Sequence, residues 1–308
     1  MKSLCLGLIL SSCAFAAAEE LGDIRIELMD GFASFTNRSH PDNRIGYRFH
    51  EHTPLSYGSV PAKNSDTKQP ELTPAEERFK ARPGTMAFHQ RVTDAGWVPQ
   101  DWTFYLAPVE DGIDLLWVVK AEAVGLPEFY GVQQCFRLTG CLAKSAWRQR
   151  YARTAAFSEY DLWQNAPPAA AQTSLTWVLR DGALQPLPAG KDTIGCRTRY
   201  GEALDIRRNG GRLDLLEPIG PYHARMLWTG DSGLFLRTSA DGKWSTGLYW
   251  ERTTHLSDHH PADCLHAIVN LGGVAPNEQR SLRGKIYWLA GPGKTVVEHW
   301  HQDFPDAR

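Results

Sequence analysis

The sequence predicts an all-β fold, an antiparallel β-sandwich with a few short helices and a C-terminal helix. Three observations lead to this prediction. Short runs of β-branched and aromatic residues recur along the chain, and tight turns of Gly, Asn and Asp separate them. Stretches with helical periodicity are few. No glycine-rich loop opens a helix, which argues against a nucleotide-binding fold. Together these features favour two packed antiparallel sheets.

The clearest strands are residues 102–109 and 113–122, which the turn Glu110-Asp111-Gly112 joins. An Asp-Gly step between two β-rich runs is typical of a tight hairpin. The same alternation of apolar run and polar turn continues through the second half of the chain. It predicts further strands at residues 175–179, 184–187, 204–207, 212–216, 224–228, 234–237, 244–251, 265–271 and 279–289.

Helices are predicted at three places. Thr73-Pro74-Ala75-Glu76 has the pattern of a capping box with proline at the first helical position, and Arg82-Pro83-Gly84 would end that short helix. Residues 143–153 are basic and aromatic and predict a helix or helical turn. Residues 295–304 predict a terminal helix laid on a sheet edge. Residues 37–72 predict a loop-rich insertion, since loops of that length are usually functional or disordered.

The first 18 residues predict a secretory signal peptide. Lys2 is followed by an apolar run from Leu4 to Leu10 and by small residues up to Ala18, and this run is too short to anchor a chain in a bilayer. Residues 19–308 then form one predicted domain of an exported, periplasmic or extracellular protein. A second interpretation takes Leu10-Ser11-Ser12-Cys13 as a lipobox, which would leave a membrane-anchored lipoprotein with lipid on Cys13.

Composition limits the partners and the redox state. The formal net charge is −2, so no basic surface for nucleic acid is expected. No run after the signal segment is long and apolar enough for a transmembrane helix. Four cysteines follow that segment, and they form either one or two disulfides or buried thiols. These are Cys135, Cys141, Cys196 and Cys264.

The strongest candidate site is the segment 251–266, which reads E-R-T-T-H-L-S-D-H-H-P-A-D-C-L-H and holds four of the 11 histidines. His255, Asp258 and His259 are candidate ligands for one divalent metal ion, zinc or calcium, since imidazole and carboxylate groups bind such ions. The glutamate of the zincin motif is missing between the two histidines. The alternative is a turn shaped by Asp258 and by His260 before proline. Without a metal, His255, His259 and His260 are candidate general acids or bases.

Further catalytic candidates lie in the segment 157–163, which reads F-S-E-Y-D-L-W. Glu159 with Glu251 would supply the two carboxyl groups of a glycoside hydrolase. Tyr160 with a histidine would instead abstract a sugar-ring proton in a lyase, with Arg225 or Arg252 neutralising a uronate carboxylate. A capped turn with aromatic plugs is the structural alternative for this segment.

Candidate substrate-binding residues are Gln133, Gln134, Trp163, Arg225, Trp250 and Arg252. Gln133 and Gln134 are adjacent, so one of them points inward on a strand and needs a hydrogen-bonding partner or a ligand. Trp163 and Trp250 offer an aromatic platform for the apolar face of a sugar, and the arginines match its polar rim. An ordinary core position is the alternative for Trp250.

Four segments resemble an uncharacterised family of secreted proteins from environmental bacteria that degrade polysaccharides: residues 101–112, 130–137, 157–163 and 250–266. The resemblance covers roughly residues 97–304. It implies a setting in polysaccharide degradation and implies no catalytic residues. The predicted sandwich is also similar to the galactose-mutarotase-like supersandwich of several carbohydrate-active enzymes, a likeness of fold alone.

The function predicted from the sequence is a secreted carbohydrate-active protein that acts on an oligo- or polysaccharide. As an enzyme, a glycoside hydrolase or a polysaccharide lyase, it would cleave a glycosidic bond by hydrolysis or elimination. Two alternatives stay open: a non-catalytic carbohydrate-binding protein of the cell envelope, and a metal-stabilised structural sandwich.

Overall fold

The chain forms two facing β-sheets with one helix-covered side. The computed structural model describes residues 18–21, 24–29, 32–40, 43–49, 70–93, 98–128, 130–138, 176–187, 193–196, 226–239, 242–259 and 264–307. Within these ranges, 17 strands and two helices are defined. The antiparallel β-sandwich predicted from the sequence is confirmed.

One sheet has nine strands, in the order β1-β2-β3-β4-β8-β16-β15-β11-β12. Its neighbours pair antiparallel, apart from the parallel pair β11 and β12. The strands are β1 (Ala18–Leu21), β2 (Ile24–Met29), β3 (Phe32–Asn37), β4 (Arg44–Arg48), β8 (Gly131–Arg137), β11 (Thr193–Cys196), β12 (Met226–Gly230), β15 (Thr253–His259) and β16 (Cys264–Asn270). Strand β4 lies inside the range 37–72 that was expected to be loop-rich.

The other sheet has eight antiparallel strands, in the order β10-β9-β13-β14-β17-β7-β6-β5. They are β5 (Met86–Val92), β6 (Gln100–Val109), β7 (Gly112–Ala121), β9 (Thr176–Arg180), β10 (Ala183–Pro186), β13 (Phe235–Thr238), β14 (Trp244–Trp250) and β17 (Gln279–Ala290). The predicted hairpins are confirmed: β6 pairs with β7, and β9 with β10. Asp181 and Gly182 both have positive φ, 53° and 75°, as a two-residue turn of this kind requires. The strands predicted at 204–207 and 212–216 lie outside the described residues.

The core between the sheets is rich in aromatic side chains. Phe104 stacks on Trp117 with ring centroids 4.5 Å apart, and Trp102 and Trp250 meet the Trp117 ring edge-on. All four side chains are buried. Aromatic pairs in these geometries add stability beyond the area they bury, so this cluster holds the two sheets face to face.

Two helices cover the outer face of the eight-stranded sheet. Helix α1 (Pro74–Lys80) has the predicted capping box, in which Thr73 and Glu76 satisfy each other's backbone N–H groups. Helix α2 (Gly293–Asp303) buries Val296 and Trp300 against this sheet. The sequence placed α2 on a sheet edge, which is wrong: it packs on β13, β14 and β17, in the middle of the sheet. The helix predicted at 143–153 lies outside the described residues.

An ion cluster fastens α2 to the sheet. The ammonium group of Lys285 lies 2.7 Å from Asp111 in the β6–β7 turn and 2.8 Å from Asp303 at the end of α2. His299 of α2 also contacts the carboxylate of Asp111, at 2.7 Å. The side chain of Lys285 is only 5% exposed, so its charge needs these carboxylates. The Tyr287 hydroxyl donates to Asp303 at 3.0 Å.

The cluster favours the charged forms of Asp111 and Lys285. Burial raises the pKa of Asp111, but the hydrogen bonds and charges of Lys285 and His299 outweigh burial and lower it below 3.8. Burial lowers the pKa of Lys285, but hydrogen bonds to Asp111 and Asp303 and the charge of Asp114 raise it above 10.5. The folded state therefore favours the ion pair across the range between these two values.

We expect Lys285→Met to lower the free energy of unfolding by about 3 kcal/mol, because two partly buried carboxylates lose their common counter-ion. Chemical denaturation at pH 7 measures the loss. Arg91→Gln is the matched control: its pair with Glu122 is more exposed, so its loss should stay below about 1 kcal/mol. Equal losses in the two variants would contradict a special role for the cluster.

The stabilisation from Asp111 should disappear in acid. Because the folded-state pKa of Asp111 is lowered, its contribution is present above the unfolded value and is lost as pH falls through the folded value. The difference in unfolding free energy between the wild type and Asp111→Asn should therefore shrink between about pH 5 and pH 3. A difference that stays constant over this range would contradict the prediction.

Candidate functional site

The central strands of the nine-stranded sheet are buried on both faces, and the two faces differ in chemistry. Every residue of β8 is buried. On β8, β15 and β16, the positions that join the core are apolar apart from one glutamine: Val132, Gln134, Phe136, Leu256, Leu265, Ala267 and Val269. The alternate, outer positions are mostly polar: Gln133, Cys135, Arg137, His255, Ser257 and His266, with Ile268 among them. A buried polar sheet face needs hydrogen-bonding partners or a ligand.

Strand register aligns the outer polar residues in one row. Arg48 on β4 pairs with Cys135 on β8, Cys135 pairs with His266 on β16, and His266 pairs with Ser257 on β15. The Ser257 hydroxyl lies 3.5 Å from Nδ1 of His266. Directly paired residues share a face, so these four side chains form a continuous strip across four strands. We call it the polar strip.

A β-bulge brings His255 to the same face. The register shifts between Thr253, which pairs with the core residue Val269, and His255, which pairs with Ile268. Thr254 is the extra residue, and its hydroxyl donates to the Ile268 carbonyl at 3.2 Å and lies 3.1 Å from Nδ1 of His255. If the strand continued from Thr253 by regular alternation with no bulge, position 255 would face the core. Bulges often re-aim a side chain next to an active site.

The result is a pair of imidazoles beside one hydroxyl. His255 lies diagonally across from His266, with Ser257 two residues further along the same strand. Both histidines are only 4% exposed, so a ligand that reaches them would be largely withdrawn from water. Two imidazoles on one sheet face can accept and donate a proton on the same bound molecule.

The metal interpretation of His255, Asp258 and His259 stays a prediction. All three belong to β15, but the side chains of Asp258 and His259 lie outside the described residues. An extended strand separates positions 255 and 259 by roughly 13 Å and places position 258 on the opposite face. A single ion bound by all three would therefore require the end of β15 to leave its extended path. Within the described ranges, no three His, Cys, Asp or Glu side chains are grouped to hold a metal.

Gln134 and Trp250 lie in the core and not on the polar strip. The Tyr47 hydroxyl donates to Oε1 of Gln134 and accepts from Nε1 of Trp250, at 3.0 Å for the latter. Burial raises the pKa of Tyr47 well above 10.0, partly countered by the Trp250 bond, so the phenol stays neutral. These three side chains link the nine-stranded sheet to β14 of the other sheet. Gln133 is the glutamine on the outer face.

Glu251 and Arg252 form the turn where the chain passes from β14 into β15. Arg252 is buried and donates from Nε to the Asn270 carbonyl at 2.7 Å. Glu251 accepts the backbone N–H of Arg283 at 3.0 Å and lines a depression at the end of α2 with Tyr249 and Phe304. Both side chains thus contact backbone at the crossover between the sheets.

The remaining sequence candidates lie outside the described residues. They are Glu159, Tyr160, Trp163, Arg225 and His260. Residues 1–17, which include most of the predicted signal segment and Cys13, also lie outside them. No helix in the described part of the chain is both long and apolar enough to cross a membrane.

Most of the polar strip was not predicted from the sequence. His266 was counted only among the histidines of the segment 251–266, Cys135 was considered only as a thiol or disulfide, and no role was predicted for Ser257 or Arg48. One partial signal was present in the β8 sequence G-V-Q-Q-C-F-R: Val132 and Phe136 fall on one face of an extended strand, and Gln133 and Arg137 fall on the other. Cys135 and Cys196 are buried thiols and not disulfides, and burial raises the pKa of Cys196.

Comparisons with known proteins found similarity in structure only. No protein-family model matches the chain, and no curated protein matches it. A galactose mutarotase-like protein from Lactobacillus casei is 11% identical with a TM-score of 0.39, over 89% of this chain and 99% of that one. A protein from Synechocystis is 10% identical with a TM-score of 0.39, over 89% and 96%.

An Escherichia coli protein described provisionally as an aldose 1-epimerase is 10% identical with a TM-score of 0.35. The match covers 67% of this chain and only 65% of the E. coli protein. TM-scores this low assign no activity to this chain. The class of protein that the fold defines is an antiparallel β-sandwich.

We expect Tyr47→Phe to cost about 1–3 kcal/mol of stability, because Gln134 and Trp250 both lose a buried partner. Chemical denaturation of Tyr47→Phe, Gln134→Leu and the double variant measures the effect. The double variant should lose less than the sum of the singles, since it leaves fewer buried polar atoms unsatisfied. Strictly additive losses would contradict a hydrogen-bonded network.

Proposed function

We propose that the protein is carbohydrate-active and binds an oligo- or polysaccharide over the polar strip. The observation that carries this proposal is the pair His255 and His266, with Ser257 beside them, on a buried sheet face away from the core. Gln133 and Cys135 extend the face, and Arg48 and Arg137 bound it. A sugar offers many hydroxyl groups, and such a face offers the donors and acceptors that would match them.

Cleavage of a glycosidic bond is the reaction we propose. In hydrolysis, one imidazole would activate water while the other protonates the leaving oxygen. In elimination, one imidazole would remove the ring proton next to a uronate carboxylate, and the other would again protonate the leaving oxygen. On the described strands of this face, imidazoles and not paired carboxylates supply the acid and base. Glu159, Tyr160 and His260 stay proposed as further catalytic residues.

A non-catalytic carbohydrate-binding protein is the second candidate. The low exposure of the histidines favours it, because imidazoles withdrawn from water can hydrogen-bond a sugar without exchanging protons with solvent. Export to the periplasm or outside the cell is part of both proposals and rests on the signal-like residues 1–18. Mass spectrometry of the mature chain would identify its first residue and would distinguish cleavage after residue 16 or 18 from a lipid-modified Cys13.

Separately, we propose that residues of β15 bind a divalent metal ion. Elemental analysis of the purified protein beside His259→Ala tests it. About one equivalent of zinc or calcium, absent from the variant, would support a metal site at β15. Metal retained by His259→Ala but lost from His255→Ala would exclude His259 as a ligand.

We expect His266→Gln to lower the rate of sugar cleavage at least about 100-fold with little change in thermal stability. The assays are release of reducing ends for hydrolysis and ultraviolet absorbance of an unsaturated product for elimination. His40→Gln is the matched control, because His40 is exposed and stacks edge-on with Trp244, away from the polar strip.

Unchanged cleavage in His266→Gln would overturn the catalytic assignment. Sugar binding without any product in the wild type would favour the non-catalytic candidate instead. A large loss of stability in His266→Gln alone would point to a structural imidazole.

A further inference from the structure

The outer face of the nine-stranded sheet becomes more exposed from the polar strip toward β2. Cys135 on β8 is 0% exposed, and His266 on β16 is 4% exposed. Further along the same face, Ser34 on β3 and Glu27 on β2 are half-buried, and Arg25 on β2 is exposed. The face that is closed over the histidines is therefore open to solvent over β3 and β2.

Strand register places a second row of outward residues beside the strip. Gly46 on β4 lies directly opposite Ser34 on β3, and Ser34 lies opposite Glu27 on β2. Gly46 is two residues from Arg48 on the same strand, so the two residues share a face. The residues next to this row in sequence belong to the core: Ile45, Phe35 and Ile26. We call Gly46, Ser34 and Glu27 the side row.

The side row is low and polar. Gly46 has no side chain and Ser34 has a small one, so a ligand can approach the backbone of β4 and β3 closely. Glu27 pairs with Arg25 at 2.6 Å, and both side chains are more than 40% exposed. Exposed ion pairs are weak, so these two groups can also hydrogen-bond the hydroxyl groups of a sugar.

We propose that the substrate is a sugar chain longer than a disaccharide. Its reacting bond lies at the histidines of the polar strip, and its remaining units lie over the side row. This inference rests on the proposed function and specifies its substrate class.

The distance along the sheet fits a long substrate. Strands β16 and β2 are separated by four strand spacings, roughly 19 Å. A single sugar unit at His266 cannot span this distance, whereas a longer chain that crosses the strands reaches Ser34 and Glu27. Contacts with units that do not react would help to hold the reacting bond in place, so both affinity and turnover should rise with chain length.

Binding of sugars of different length tests the proposal. Isothermal titration compares disaccharides with hexasaccharides of glucose, mannose and galacturonate. We expect at least one hexasaccharide to bind the wild type about tenfold more tightly than the disaccharide of the same sugar. This comparison needs no variant, so it gives a result that does not depend on the folding of any variant.

The variant Ser34→Ile should lose most of this gain, because a branched side chain replaces the hydroxyl and covers the side row. Isoleucine suits a strand, so the fold should be kept, and the affinity for disaccharides should stay within about twofold. Ser39→Ile is the matched control, because Ser39 is exposed in the turn after β3 and should keep the full gain. Glu27→Ala is a second variant of the side row and should also reduce the gain.

The outcomes separate this inference from the proposed function. Equal affinities of the wild type for disaccharides and hexasaccharides would overturn the long substrate and leave the carbohydrate site standing. Absence of binding to every sugar would overturn both. A gain with chain length that Ser34→Ile and Glu27→Ala both retain would overturn the placement of the chain over the side row.

Discussion

The position of the candidate site depends on which side chains of β8 point into the core and which point outward. Side chains alternate along a strand, so a shift of one residue would exchange its two faces completely. The Tyr47 hydroxyl fixes this choice, because it holds Gln134 and reaches Trp250 across the core. With Gln134 inside, Gln133 and Cys135 must face outward. Pairing with β16 then carries the same facing to His266, and pairing with β15 carries it to Ser257.

The two sheets have different outer faces for a physical reason. The outer face of the eight-stranded sheet is apolar under α1 and α2, and the Lys285 cluster fixes α2 there. That side has buried its apolar surface and satisfied its charges internally. The outer face of the nine-stranded sheet instead buries imidazole, hydroxyl, thiol and guanidinium groups. Such groups can hydrogen-bond a polar ligand as well as one another, so this face is the better candidate for a ligand.

Local sequence patterns predicted the elements better than their arrangement. The hairpin at Asp111-Gly112 and the capping box at Thr73 depend on neighbouring residues, and both were correct. The position of α2 depends on strands that are distant in sequence, so no local pattern could distinguish the edge of the sheet from its middle. Strand β4 was missed because its polar flanks, with Arg44 and Arg48 at its ends, resemble loop sequence.

The candidate site, too, could be predicted only as far as local sequence patterns allow. The segment 251–266 attracted attention because it is rich in histidine, and His255 does face the polar strip. The orientation of His255 depends on the bulge at Thr254, which no local sequence pattern predicts. Gln134 and Trp250 were candidates for sugar binding, with a hydrogen-bonded network and an ordinary core position as the alternatives. The structure shows these alternatives, which depend on Tyr47, 87 and 203 residues away in sequence. Residues that act through cross-strand neighbours become recognisable only once the register is known.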